Sequence, residues 1–333
     1  MDVADFCRQS RVLVVAGKGG VGKTTVAAAF ARMACHAGLS VLLVELEGKT
    51  GVPAAFGRTG SLEYDEALLA DGAGAVRARR ITPDDALLEY LAEHGMKRIS
   101  KRLVSSGALD VVATAIPGIR DILVLGKVKS LEREPAADLI LVDAPATGHA
   151  MTFLSSARGL LDAARAGPVR TQAADVVAML SDPRRCQVVL VTLPEEMPIN
   201  EVVEAAYALE DRIGIGLGPV VVNGCLPADP ALETDPAGAA AESGVSLGAD
   251  TAAALSAAAT FRQKRFHLQE EQLARLAQEL PLPQLRTRWL STDTVGPAEL
   301  ELLSADLASG IEALGEGATR TPVRHGGAGS GET

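Results

Sequence analysis

The chain has 333 residues, with 42 Asp plus Glu against 32 Lys plus Arg and a formal net charge of −10. That balance argues against a general nucleic-acid binder, because affinity for phosphate backbones rests on clustered Lys and Arg. With 47% hydrophobic residues the chain can bury a sizeable core, which excludes a largely disordered protein.

Four cysteines, Cys7, Cys35, Cys186 and Cys225, are scattered with no CxxC or His/Cys cluster, so neither a disulfide scaffold nor a zinc site is legible. The first residues, MDVADFCRQS, lack the basic start and apolar run of a signal peptide. No run of about 18 apolar residues could span a membrane. These features predict a cytoplasmic protein with no integral membrane segment.

In chain order, residues 12–16 (VLVVA) form a continuous β-branched run, the pattern of a strand buried on both faces. Glycines follow, then a helix over 23–37 ended by Gly38, then a strand over 41–46. Apolar strands recur at 139–142, 188–191 and 220–222, with weaker candidates at 76–81 and 286–290. Helical patterns lie between them, as at 199–209. The alternation predicts an α/β fold, a doubly wound and mostly parallel sheet. Residues 83–135 and 152–181 carry apolar residues at three- and four-residue spacing, as Leu87, Leu88 and Leu91 do, and predict a helical insertion subdomain beside the sheet. Residues 227–248, rich in Ala, Asp, Pro and Gly, read as a mobile loop. Residues 315–333 have almost nothing to bury and read as a disordered tail, leaving one domain over 1–314.

The sequence Gly17-Lys18-Gly19-Gly20-Val21-Gly22-Lys23-Thr24 fits the pattern GxxxxGK followed by Ser or Thr, between a strand and a helix as that pattern requires. Glycines let successive backbone N–H groups turn inward around phosphate oxygens, and the N-terminus of the next helix favours the same charge. Lys23 is placed to reach the β- and γ-phosphates, and the Thr24 hydroxyl, next to Thr25, to bind Mg²⁺. The strand 139–142 ends at Asp143, where a carboxylate can hold Mg²⁺ through water. ATP or ADP with Mg²⁺ is therefore the expected ligand.

Lys18 makes the loop the deviant Walker A form, KGGVGKTT. It resembles the loop of the dimeric P-loop ATPases that include the arsenite-pump ATPase (ArsA), the ATPase that targets tail-anchored membrane proteins, MinD, ParA and the nitrogenase iron protein. The resemblance implies that Lys18 reaches across a dimer to the partner's nucleotide. Asp143-Ala144-Pro145-Ala146-Thr147-Gly148-His149 resembles the DTAPTGH switch of the arsenite-pump and targeting ATPases, with the Pro displaced by one. Pro117-Gly118-Ile119-Arg120-Asp121 resembles their PGxxE stretch. Asn223 falls where they carry an adenine-contacting Asn, and Leu280-Pro281-Leu282-Pro283 resembles their late loop over the base.

The first switch departs from the family. Where the family reads D-P-A-H-N-L-S-D, this chain has Glu47-Gly48-Lys49-Thr50-Gly51-Val52-Pro53-Ala54. An ungapped match puts Ala54 at the water-orienting Asp, and alanine can neither accept a proton nor position water. Glu47, at the strand end, is the candidate to act electrostatically, and Glu45 projects to the same side of the strand. Cys225 has no mate for a shared zinc and reads as an ordinary thiol.

The expectation is thus an ATP-binding, ATP-hydrolysing dimer of the arsenite-pump and tail-anchored-targeting family, whose nucleotide state switches a helical subdomain that binds a membrane-protein or other protein client. The altered first switch leaves a second reading, a weakly hydrolysing or non-hydrolysing subunit paired with a paralogous ATPase. A third is a MinD- or ParA-like positioning ATPase, which the Gly-rich tail and acidic balance disfavour.

Overall fold

The computed structural model describes residues 1–46, 51–93, 118–134 and 137–314. Strands β1 (Val12–Gly17), β2 (Ser40–Leu46), β3 (Ala67–Asp71), β4 (Ala75–Ile81), β5 (Leu139–Ala146), β6 (Cys186–Thr192), β7 (Gly216–Leu217), β8 (Val220–Cys225) and β9 (Gln284–Arg288) form one nine-stranded sheet. Its order is β3-β4-β2-β5-β1-β6-β8-β9, with β7 beside β6. The pairs are parallel except β3 with β4 at one edge.

Alternate side chains of β1 feed two separate cores. Val12 and Val14 pack on one face, Leu13 and Val15 on the other. The second face is covered by α1 (Val3–Arg8), α2 (Lys23–His36), the short α3 (Val52–Ala55) and, later in the chain, the helix Pro297–Glu312. The first face is covered by α4 (Pro83–Glu93), α5 (Ile119–Arg133), α6 (Thr147–Ala163), α7 (Pro168–Leu180) and α8 (Glu196–Ala208). This is the doubly wound α/β architecture the apolar runs predict. From β1 the chain goes first to β2 on one side and later to β6 on the other, so the carboxyl end of β1 opens at a topological switch point.

Helices α4 to α7 are the described parts of the stretches read as a helical insertion. Their buried residues, such as Ile122, Leu125, Phe153 and Val176, belong to the core on that side of the sheet, and α5 packs on α4, α6 and α7. Residues 94–117 and 135–136 of that insertion, and the tail 315–333, lie outside the described residues.

Three elements differ from the sequence reading. Residues 227–248, read as a loop, contain a 3₁₀ turn (Pro230–Glu233) and α9 (Pro236–Glu242). Asp235 caps α9 by accepting from the N–H groups of Ala237 and Gly238, and Pro236 presets its first turn. Next comes α10 (Ala249–Glu279), 31 residues with only Gln269, Leu273 and Leu276 buried. Its Ala-rich first half has strong helix propensity but no apolar stripe, so periodicity alone did not reveal it. The final helix is α11 (Pro297–Glu312), set against α2. Third, β3 forms an antiparallel edge hairpin with β4 that the pattern did not show.

Candidate nucleotide site

The loop between β1 and α2 is held from three sides. Val21 is buried in the core shared with α2. Gly17 is tight against β6, where an added Cβ would collide with the Val191 carbonyl. Gly22 has φ +89°, and a Cβ there would strike the Asn223 amide, so backbone conformation and space both require glycine. Gly20 has open space around its Cα, and Gly19 lies near the Ala146 end of β5.

Helix α2 starts at Lys23 with no side-chain cap and no acidic residue in its first turn. Its first N–H groups are therefore left for an outside acceptor, and its positive dipole end is unopposed. The buried Lys23 bends back over the loop and donates from Nζ to the Lys18 carbonyl at 2.7 Å. Thr25, half-buried, follows in the same turn. Lys18 points outward and pairs with Glu201 of α8 at 2.5 Å.

Thr24 Oγ1 donates to Asp143 Oδ2 at 2.7 Å. Parallel register sets this contact, aligning Asp143 with Val15 of β1 on one side and Glu45 of β2 on the other. Asp143 is fully buried. A hydroxyl and a carboxylate provide oxygen donors only, the set that Mg²⁺ accepts together with phosphate oxygens and water. Among the described residues no group of three His, Cys, Asp or Glu gathers to hold another metal. The residues present therefore fit Mg²⁺ accompanying a nucleotide.

Glu45 is also fully buried, and burial pushes its carboxyl above the usual range despite hydrogen bonds from Arg80 (3.1 Å) and the Val52 N–H (3.4 Å). Glu47 lies outside the described residues. The chain returns at Gly51, beside the Thr24 methyl, and Ala54 sits exposed on α3. The described part of the first switch, from Gly51, thus begins against the Thr24 side of the loop.

In the second switch, Gly148 and His149 are exposed at the start of α6. Asp121, near the N-terminus of α5, is raised by burial and lowered in part by His149, so the structure brings the two motifs within electrostatic reach. Asn223 reaches the loop, but both ends of its amide are engaged. Nδ2 donates to the Val21 carbonyl at 2.9 Å and Oδ1 accepts from Thr287 at 2.8 Å.

The segment 280–283 is not where the resemblance put it. Val220, the first residue of β8, donates to the Pro283 carbonyl, and Gln284 pairs with Val220 at the amino ends of β8 and β9. Parallel strands carry that segment to the edge opposite the phosphate loop. The connection at the loop's end of the sheet is instead 289–296, starting at Trp289, whose N–H donates to Cys225. Sequence reading also missed Glu201 and Thr287, which carry no local motif. Cys225 is buried and its thiol is pushed up to about 12 by burial, as for Cys7 and Cys186.

The family model described as the anion-transporting ATPase matches residues 10–165 and 161–236. ATPase BagA of Mycobacterium tuberculosis is 37% identical over 234 residues, which is 66% of this chain and 66% of that protein. A putative arsenical pump-driving ATPase of Halobacterium salinarum is 28% identical over 240 residues, 66% of this chain and 36% of that protein. ATPase get3 of Neurospora crassa is 34% identical over 152 residues, 44% of this chain and 43% of that protein. The match therefore spans just under two thirds of the first of these relatives and less than half of the other two. The chain belongs to the anion-transporting ATPase family, the ArsA group of P-loop ATPases.

Proposed function

We propose that the chain binds Mg-ATP in the loop 17–25 and hydrolyses it as one half of a dimer. The observation that carries this reading is the 2.7 Å contact of Thr24 with Asp143, beside a helix N-terminus with no side-chain cap and no acidic residue in its first turn. The loop N–H groups and Lys23 bind and orient the phosphates, where negative charge develops as the terminal phosphoryl group leaves. When bound, Mg²⁺ supplies further charge neutralisation, with Thr24 and Asp143 holding it. Lys18 swings from Glu201 to the nucleotide of the second subunit. The second switch, next to Asp121 of α5, passes the nucleotide state to the helical subdomain over 83–135 and 152–181, which binds a membrane-protein or other protein client. The four buried, free cysteines fit a reducing compartment, the cytoplasm.

One observation favours the second reading, a weakly hydrolysing subunit paired with a paralogue: the exposed side chain at position 54 is a methyl group. ATP turnover of the purified chain, read with dimer mass by light scattering, separates the two. Turnover that Lys18→Ala and Lys23→Ala both abolish supports a self-sufficient homodimer. Tight Mg-ATP binding without turnover supports the heterodimer. Absence of Mg-ATP binding sinks both.

A further inference from the structure

Among the described residues, the buried carboxylates are Glu45 and Asp143, and the sheet sets them side by side. Parallel register aligns Glu45 of β2 with Asp143 of β5 on one side and with Arg80 of β4 on the other. The residues two and four places before each of the three, such as Leu43, Leu141 and Ala78, pack in the core shared with α2. Side chains alternate along a strand, so all three project to the side of α2 and α3.

Two adjacent buried carboxylates are costly unless each has its own partners. Asp143 takes the Thr24 hydroxyl. Glu45 faces the other way. Its Oε1 accepts from Arg80 at 3.1 Å and its Oε2 from the Val52 N–H at 3.4 Å. Val52 is the first residue of α3, and Gly51 before it has no side chain to cap that helix. The acceptor at the start of α3 comes instead from β2. Gly51 in turn lies close against Thr24, where an added Cβ would stand 3.0 Å from the threonine methyl. One carboxylate therefore joins a cation of the sheet to the switch backbone that touches Thr24. Ala54, one turn into α3, is exposed and has only a methyl group, so it supplies no such tie.

We propose that Glu45 is a positioning residue. It holds the start of α3, and with it the described end of the first switch, on the Thr24 side of the phosphate loop, and Arg80 holds Glu45 in place. This rests on the reading of the loop 17–25 as an Mg-ATP site.

Hydrogen exchange of the peptide 51–58 in the full chain reads this tie, because it includes the Val52 amide. Exchange is followed by mass spectrometry with Mg-ADP and with Mg²⁺ and a non-hydrolysable ATP analogue, at concentrations that calorimetry shows to saturate each variant. A switch that answers to the terminal phosphate is ordered by it. In the wild type, exchange should be about tenfold slower with the triphosphate, the scale of one hydrogen bond to a charged group. Glu45→Ala should bring that ratio to about one, since no acceptor is left for the Val52 N–H. Glu45→Gln keeps the shape and one acceptor oxygen, so it covers the case in which the alanine variant does not fold. A neutral bond is roughly half as strong as a charged one, so its ratio should be about threefold. Arg80→Gln should lower the ratio as well. A wild-type chain with equal exchange in both nucleotides, or a wild-type ratio in Glu45→Gln, overturns the proposal. Equally faster exchange in both nucleotide states, with the ratio kept, also overturns it and leaves Glu45 and Arg80 as a pair that serves the fold alone. Absence of nucleotide binding by the wild type is a different failure, in which the Mg-ATP reading falls and takes the proposal with it.

Discussion

The Asn223 side chain donates to the carbonyl oxygen of Val21, 202 residues earlier in the chain, and so ties the end of β8 to the phosphate loop. Thr287 of β9 holds the other end of the same amide. Asn223 is thereby a brace for the loop. We expect Asn223→Ala to lower unfolding free energy without nucleotide by about 1–3 kcal/mol, since it leaves a loop carbonyl and the Thr287 hydroxyl unsatisfied. Urea denaturation measures this. A variant that keeps full stability and loses only the preference for ATP over GTP would make Asn223 a base reader instead.

Gly22→Ala forces a Cβ into the Asn223 amide and a left-handed φ onto alanine. The expected cost is about 1–3 kcal/mol with loss of ATP binding. Part of that cost is the clash, so the double variant with Asn223→Ala should lose less than the sum of the single changes. A double-mutant cycle by denaturation decides it, and strict additivity would show that the two residues do not touch.

Lys18 and Glu201 are both partly exposed, at 45% and 33% of their side chains, and exposed pairs contribute little. Glu201→Gln should leave the unfolding midpoint of the nucleotide-free chain unchanged within about 0.5 kcal/mol. Turnover lost in Lys18→Ala at unchanged midpoint then reflects the nucleotide step and not instability. A large fall in midpoint for either variant would assign the pair to the fold.

Asp143→Asn should retain nucleotide binding in the absence of Mg²⁺ and lose most of the gain in affinity that Mg²⁺ provides, because a neutral amide holds a hard cation poorly. ATP titrations with and without Mg²⁺, by calorimetry, give the ratio. An Mg²⁺ effect equal to that of the wild type would move the metal-holding role off Asp143.

At the amino end of the sheet, the Ser40 hydroxyl and N–H both donate to Asp138, at 2.6 and 2.8 Å, and hold its carboxyl below the usual range. The folded chain thus gives up this proton more readily than the unfolded chain. Its contribution is complete above the unfolded Asp value and is lost as pH falls through the lowered folded value. Asp138→Asn should be less stable than wild type at neutral pH, with the gap closing in acid. A gap independent of pH would rule out the ionised Asp138 carboxylate as its source.

Much of the site was legible in one dimension. Residues 17–25 are contiguous, and the strand before and helix after them are readable from local pattern, so the phosphate loop and the uncapped start of α2 follow from sequence order. Asp143 was legible for the same reason, at the end of an apolar run. Whatever depends on register was not. Only the parallel pairing of β8 with β9 shows that 280–283 begins the strand at the far edge, whereas 289–296 lies at the loop's end. Only the packing of β8 against the loop turns Asn223 into a brace, and only burial between β5 and β4 makes Glu45 a desolvated carboxyl rather than a solvated strand end. Local chemistry is written along the chain, because a turn and a helix start need only neighbouring residues. Contacts such as Lys18 with Glu201, or Asn223 with Val21, join distant segments whose meeting is set by strand order and helix packing, so the tertiary structure alone decides them.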